Sequence, residues 1–257
     1  MMNRLQRAVR KLADQVAPEA IESEDKIARD ASAYWSGSES DTQRRDYSHW
    51  RGEGRYADHS VWDSIGQDHR RMFQELKLLC GREKPVARMV EWGQGGGSNA
   101  VAFLEEYSEF TGVDISAPNL DECDRQLRSR GYEGMRKVCI DAPNPESALQ
   151  KIEPGIDFFL STAVFQHFPG KEYGLRVLKV AHRLLADDGI ALIQTRYDDG
   201  TEHYKAKKHS YEKDAITFTS YGIAEFWKSC ENTGFEPLFV KLQPRANYAF
   251  YYLKKRP

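Results

Sequence analysis

A chain of 257 residues is long enough to bury one full-sized core, with length left over for an extension. Apolar residues make up 40% of it and charged residues 30%, an ordinary globular composition, and no stretch approaches the ~20 apolar residues that a bilayer span requires. A net charge of −2 gives no reason to expect a nucleic-acid partner; the four cysteines, Cys80, Cys123, Cys139 and Cys230, form neither a CxxC pair nor a metal-ligand spacing, so a cytoplasmic setting with reduced thiols and no metal is expected.

Residues 3–16 read as an amphipathic helix, with Leu5, Val9, Leu12 and Val16 at helical spacing and Arg4, Arg7, Arg10 and Lys11 on the other faces. Its basic residues precede no apolar run, so it is not a secretory signal. Such a stripe suits an anionic membrane surface or a docking partner, but packing on its own domain or on a second subunit is the more ordinary role and is the one expected. Residues 36–60 are rich in Ser, Gly, Asp and Arg, as a loop or linker is, yet Tyr34, Trp35, Tyr47, Trp50 and Tyr56 argue for order. A helix is expected from about Ser60 to Cys80, where Trp62, Ile65, Met72, Phe73, Leu76 and Leu79 share a face and Gly81 supplies the stop.

From residue 86 onward strand and helix patterns alternate. Strands are expected at Val86–Trp92, Glu109–Asp114, Gly134–Ile140, Ile156–Ser161, Gly189–Tyr197, Phe235–Leu242 and Asn247–Leu253, and helices at about 98–107, 117–130, 146–152, 171–186 and 221–232. This order implies a doubly wound, mainly parallel seven-stranded α/β sheet with right-handed crossovers. Only a short turn around Pro244-Arg245 separates the last two strands, which leaves no room for a crossover, so the final strand should run antiparallel. The chain thus divides into a helical and loop extension, 1–58, and an α/β domain, 59–257.

The first strand ends in Glu91-Trp92-Gly93-Gln94-Gly95-Gly96-Gly97-Ser98-Asn99 and opens a helix. Glycines there permit a tight turn and a close approach of ligand to backbone, and N–H groups at a helix start suit an anionic ligand group. Asp114 ends the second strand, where a carboxylate can accept from a ribose diol, and Asp141 follows the third, where it can accept from an adenine amino group. Each acid also has a bland reading: Glu91 as a buried structural acid, Asp114 and Asp141 as helix or turn caps. Gly93-x-Gly95-x-x-Ser98 partly imitates the NAD(P) fingerprint, but Ser98 stands at its third glycine and Glu91 is left unexplained.

With Glu91-x-Gly93-x-Gly95-x-Gly97, Val113-Asp114-Ile115-Ser116, Asp141, Phe158-Phe159-Leu160-Ser161 and Leu184-Leu185-Ala186-Asp187-Asp188-Gly189, the chain resembles the class I S-adenosylmethionine-dependent methyltransferases over about residues 86–253. The resemblance implies S-adenosylmethionine as cofactor. Glu91, Gly93, Gly95 and Gly97 would lie around its methionine part, and Asp114 with Ile115 at the ribose. Asp141 and Ala142 would lie at the adenine, and Ser161 and Thr162 would begin the segment facing the sulfonium. It also implies the antiparallel last strand.

Methyl transfer asks the protein mainly to align an acceptor, exclude water and sometimes remove a proton. His167, in Phe165-Gln166-His167-Phe168-Pro169 beyond the fourth strand, is the candidate general base, with a contact to the cofactor loop as its other reading. Arg196 and Tyr197 end the fifth strand and are placed to orient a polar acceptor. The segment 198–215, with His203, Tyr204, His209 and Tyr211, reads as a lid or as a solvated loop. No Asn/Asp-Pro-Pro-Tyr run follows the fourth strand. A hydroxyl on a small polar or carbohydrate acceptor, with no nucleic acid, is therefore expected, ahead of N-methylation of a small molecule or protein and of a non-catalytic cofactor-binding module.

Overall fold

The computed structural model of the chain describes residues 21–256, so the helix expected at 3–16 lies outside the described residues. Helix α1 (Glu24–Ser36) starts where the Ser23 side chain accepts from the Lys26 N–H, and α2 (Thr42–Tyr47) starts where Asp41 accepts from Gln43 and Arg44. Residues 36–60 are thus ordered, as their aromatics implied. Helix α3 (His59–Leu79) follows, capped by Asp58. It buries Trp62, Met72, Phe73 and Leu76 as expected, but Leu79 is 53% exposed.

The alternating part runs β1 (Arg88–Trp92), α4 (Ser98–Ala102), β2 (Glu109–Asp114), α5 (Ala117–Arg128), β3 (Arg136–Cys139), β4 (Ile156–Ser161), α6 (Lys171–Leu184), β5 (Leu185–Arg196), α7 (Tyr211–Asp214), α8 (Ile223–Thr233), β6 (Phe235–Gln243) and β7 (Tyr248–Lys255). The seven strands lie in the order β3-β2-β1-β4-β5-β7-β6. Pairing is parallel from β3 across to β5, and β7 runs antiparallel between β5 and β6, as the short Pro244–Ala246 connection requires.

Two expected helices are shorter or tighter than periodicity suggested. α4 stops after Ala102 because Phe103 turns inward to pack on Phe73 and Phe158, with ring centroids 5.4 and 5.9 Å away. The 146–152 helix is a 3₁₀ stretch, Pro145–Gln150. Strand β5 begins at Leu185, four residues earlier than the expected start at Gly189. One apolar layer gathers Phe159, Val177, Leu178, Ala181 and Tyr251 on one face of the sheet, and the other gathers Phe73, Phe103, Phe158 and Leu192 on the opposite face. Strands covered on both faces need such continuous apolar runs. A third, smaller cluster joins Ile27, Ala31 and Trp35 of α1 to Tyr211, Ala215 and Phe218. Among the described residues no helix is long and apolar enough to cross a membrane.

Candidate active site at the carboxyl edge of the sheet

The carboxyl ends of β1, β2 and β4 open into a cavity of about 920 Å³, counted out through its mouth. Glu91, Gly93, Gly95, Asp114, Ile115, Ala142, Thr162 and His167 all line it, so eight of the residues singled out from sequence meet there. Three do not. Asp141 is exposed outside the wall, where its neighbours Ile140 and Ala142 line the cavity instead. Gly97 is the N-cap of α4 and backs onto Cys123, and Ser161 is fully buried with its hydroxyl donating to the Trp92 carbonyl.

Glu91 is held by one oxygen only. The Asn99 amide donates to Oε1 at 2.7 Å and to the Thr162 hydroxyl at 2.9 Å, and the Asn99 carbonyl oxygen meets His69 Nδ1 at 2.8 Å. An amide oxygen accepts, so His69 Nδ1 carries the proton and the whole chain is oriented from α3. Oε2 of Glu91 is buried with no protein partner. Burial, with help from the nearby Asp114 charge, pushes the Glu91 carboxyl up to about 8. Burial likewise raises Asp114 to about 6, against the pull of the Ser116, Ile115 and Gly95 N–H groups and the Asn119 amide. Two buried carboxyls beside an open cavity, one with a bare oxygen, are a receptor for a cation and for hydroxyl donors. They fit the ammonium and ribose diol of S-adenosylmethionine.

The glycine loop works by leaving space. Its N–H groups are taken: Gly93 donates to the Val113 carbonyl, Gly96 to Ser48, Gly97 to Gln94, and Gly95 to Asp114. At Gly95, φ is +51° and a Cβ would stand 2.4 Å from the Ser48 carbonyl oxygen, so only glycine fits. The residue pressing on the loop belongs to the extension.

The extension also supplies wall that sequence reasoning did not assign. Ala28, Ala31, Trp35, Tyr47, Ser48 and His49 line the cavity. Trp50, Arg51 and Tyr56 sit behind it: Trp50 donates to Asn119, the Arg51 guanidinium lies over Trp62, and Tyr56 packs on His49. The aromatic content of 34–50 was the available signal, but a loop has no period that shows which ring faces inward.

His167 lies on a 3₁₀ turn, Phe165–His167, next to the Trp35 ring at 5.0 Å. Its Nδ1 is 2.6 Å from the Ala215 carbonyl and therefore donates to it. Burial pushes its pKa down to about 4, with Arg196 adding to the shift, so the imidazole is neutral at pH 7. Tyr211 donates its hydroxyl to the His167 carbonyl and accepts from the Trp35 indole, both at 2.8 Å. The 198–217 segment is therefore tied to α1 and to the turn carrying His167. Among the described residues no group of His, Cys, Asp and Glu could hold a metal ion.

Comparison with known proteins agrees with this geometry. A family model described as a methyltransferase domain matches residues 90–191. The chain is similar to a tRNA (guanine-N(7)-)-methyltransferase of Sodalis glossinidius, 24% identical over 158 residues, covering 59% of this chain and 65% of that protein. It is also similar to the enzyme of the same name from Cronobacter sakazakii, 27% identical over 92 residues, covering 36% of this chain and 38% of that protein. The chain thus spans less than two thirds of these relatives' length. Its fold is shared with an S-adenosylmethionine-dependent methyltransferase from Clostridium acetobutylicum, with a TM-score of 0.57 at 12% identity over 78% of this chain and 93% of that one. Residues 90–191 thus match a methyltransferase domain, and the chain has the fold of S-adenosylmethionine-dependent methyltransferases.

One expectation is corrected by these relatives. Composition argued for a small-molecule or carbohydrate acceptor and against nucleic acid, yet the curated relatives are named for methylation of a tRNA guanine. Net charge is a sum over the whole surface, whereas a nucleic-acid contact needs only a local arrangement of donors and cations.

Proposed function

We propose that this chain transfers a methyl group from S-adenosylmethionine to a nucleobase nitrogen that carries a lone pair and no proton. The observation that supports it most is the state of His167. A hydroxyl acceptor needs its proton removed during attack, and a general base works best with a pKa near the operating pH. An imidazole whose pKa is lowered to about 4 by burial, against the opposing pull of the Ala215 carbonyl, is a weak base. A ring nitrogen needs no base, and the relatives' names specify such an atom, N7 of guanine.

When bound, S-adenosylmethionine supplies an electrophilic methyl carbon, and the electron pair of the breaking bond leaves on sulfur. The chain's own residues then have positioning work. Glu91, oriented by Asn99 and His69, takes a cation on its bare oxygen; Asp114 takes hydroxyl donors; Ile115 and Ala142 supply apolar contact for a base. Trp35, Tyr47 and His167 exclude water on the side from which the nucleophile approaches, where His167 Nε2 offers a lone pair to a donor on the acceptor. In this reading the extension is part of the site, because Ser48 and His49 close the glycine loop.

The test is transfer of tritiated methyl from S-adenosylmethionine to unmodified tRNA transcripts, with nuclease digestion and mass spectrometry of the nucleosides. Label on a ring nitrogen is expected. Label confined to oxygen, or no label on RNA while the demethylated cofactor still binds, overturns the acceptor assignment and leaves the cofactor assignment standing.

A further inference from the structure

Beside the cofactor cavity lies a second one, lined by Tyr34, Asp41, Gln43, Arg44 and Tyr47 of the extension, by His203, Glu212, Lys213, Asp214, Ala215, Ile216 and Thr217, and by Arg196. Tyr47 lines both cavities, and Ala215, which lines the second, accepts the hydrogen bond from His167, which lines the first.

Arg196 is the unusual member. It ends β5, is only 6% exposed, and has no carboxylate within ion-pair distance among the described residues. Its guanidinium lies over the rings of Tyr204, 5.2 Å away, and Tyr248, 4.9 Å away. One terminal nitrogen donates to the Ala246 carbonyl and the other to the Tyr248 hydroxyl, each at 3.2 Å, and Nε is buried without a partner. Five N–H groups in a fixed fork thus have two protein acceptors. The acids facing this cavity do not answer it: Asp41 and Glu212 pair with Arg44 at 3.6 and 3.5 Å, which leaves Asp214 beside Lys213. A buried guanidinium without a counter-ion is costly unless something neutralises it.

We propose that this second cavity binds a phosphate group of the methyl acceptor on the Arg196 guanidinium, with Lys213 and His203 at its rim. This rests on the methyltransferase reading, since it takes the cavity beside the cofactor as the acceptor's. Two tyrosine rings hold the guanidinium plane, so its free donors are pre-aligned for the oxygens of a tetrahedral oxyanion. Tyr47 lines both cavities, so one nucleotide would reach from the phosphate site to the methyl donor.

The probe is inorganic phosphate, followed by phosphorus NMR line broadening on the full chain saturated with the demethylated cofactor. Saturable broadening is expected in the native protein. Arg196→Gln should weaken it by roughly tenfold to a hundredfold, the size of a lost charge-assisted contact, and Arg196→Lys should restore part of it. Cofactor affinity measured by calorimetry should be the same in all three and shows that the variants are folded. Guanosine monophosphate and a guanosine-containing dinucleotide then compete: displacement by the first alone points to a terminal phosphate, displacement by both to a phosphodiester backbone. Absence of saturable broadening in the native chain, displacement by acetate as effective as by nucleotide, or displacement by neither nucleotide overturns the proposal. Failure of the cofactor to bind would overturn the methyltransferase reading instead, and that result is read separately.

Discussion

On the cofactor side of the site, Glu91, Gly93 and Asp114 stand at the carboxyl ends of the neighbouring parallel strands β1 and β2, and their positions follow from the register of the sheet. On the side we assign to the acceptor, Trp35, Tyr47, Tyr211 and Arg196 come from the extension, from the 198–217 insertion and from one strand end, and they meet only because those segments pack on each other. The first side is a property of the sheet, and the second is a property of tertiary contacts between irregular segments. Substitutions on the two sides should therefore separate cofactor binding from acceptor binding, except where one segment serves both.

The largest effect is expected where the two sides touch. Gly95→Ala places a Cβ against the Ser48 carbonyl and forces a left-handed φ of +51° on alanine. The conformational cost is about 1–3 kcal/mol and the overlap adds about 1–3 kcal/mol. Urea unfolding should show a loss of several kcal/mol together with loss of cofactor binding. A loss below about 1 kcal/mol would mean that the extension does not hold the loop.

Glu91→Gln should act on the cofactor side alone, and its sign depends on pH. The folded carboxyl has a pKa of about 8, raised from 4.5 by burial. Its favourable contribution to folding is thus complete below about 4.5 and is lost as pH rises through 8. Glutamine keeps the Asn99 contact without the buried charge. The variant should be more stable than the native chain by a few kcal/mol at pH 8.5, with the gap closing by pH 5. Cofactor affinity should move the opposite way, falling roughly tenfold to a hundredfold. In the native chain affinity should rise with pH up to about 8, because a cationic ligand needs the ionised carboxylate, and this rise should vanish in the variant. Parallel pH profiles of native and variant by calorimetry would remove Glu91 from the cation's reach.

This division also explains what was legible in sequence. The sheet order, the antiparallel β7 and the wall from Glu91 to Thr162 follow patterns of period two, glycine spacing and loop length, which local sequence carries. Asp141 was placed by its position after β3, but the strand ends at Cys139, and in the turn that follows it is Ile140 and Ala142 that line the cavity. Trp35 and Tyr47 could be recognised as ordered but not located, since their positions depend on α1 meeting residues 211–218, about 180 positions away. His167 was visible as a histidine in the right loop. Its lowered pKa was not, because the burial that sets it depends on α1 and the insertion closing over the turn.

The smallest effect is expected from Tyr211→Phe, and it is the sharpest check on the separation. The hydroxyl accepts from the Trp35 indole and donates to the His167 carbonyl, joining α1, the insertion and the His167 turn through one oxygen. Phenylalanine keeps the ring, which is buried against Phe218 at 5.0 Å, and leaves the indole N–H and the carbonyl without this partner. Stability should fall by about 1–3 kcal/mol, the usual cost of a buried polar group left unpaired. Glu91, Asp114 and the glycine loop are untouched, so cofactor affinity should hold within a factor of two or so while KM for the acceptor rises. If calorimetry instead shows cofactor binding weakened as much as by Glu91→Gln, then the insertion supports both sides of the site, and the acceptor wall cannot be altered independently of the sheet.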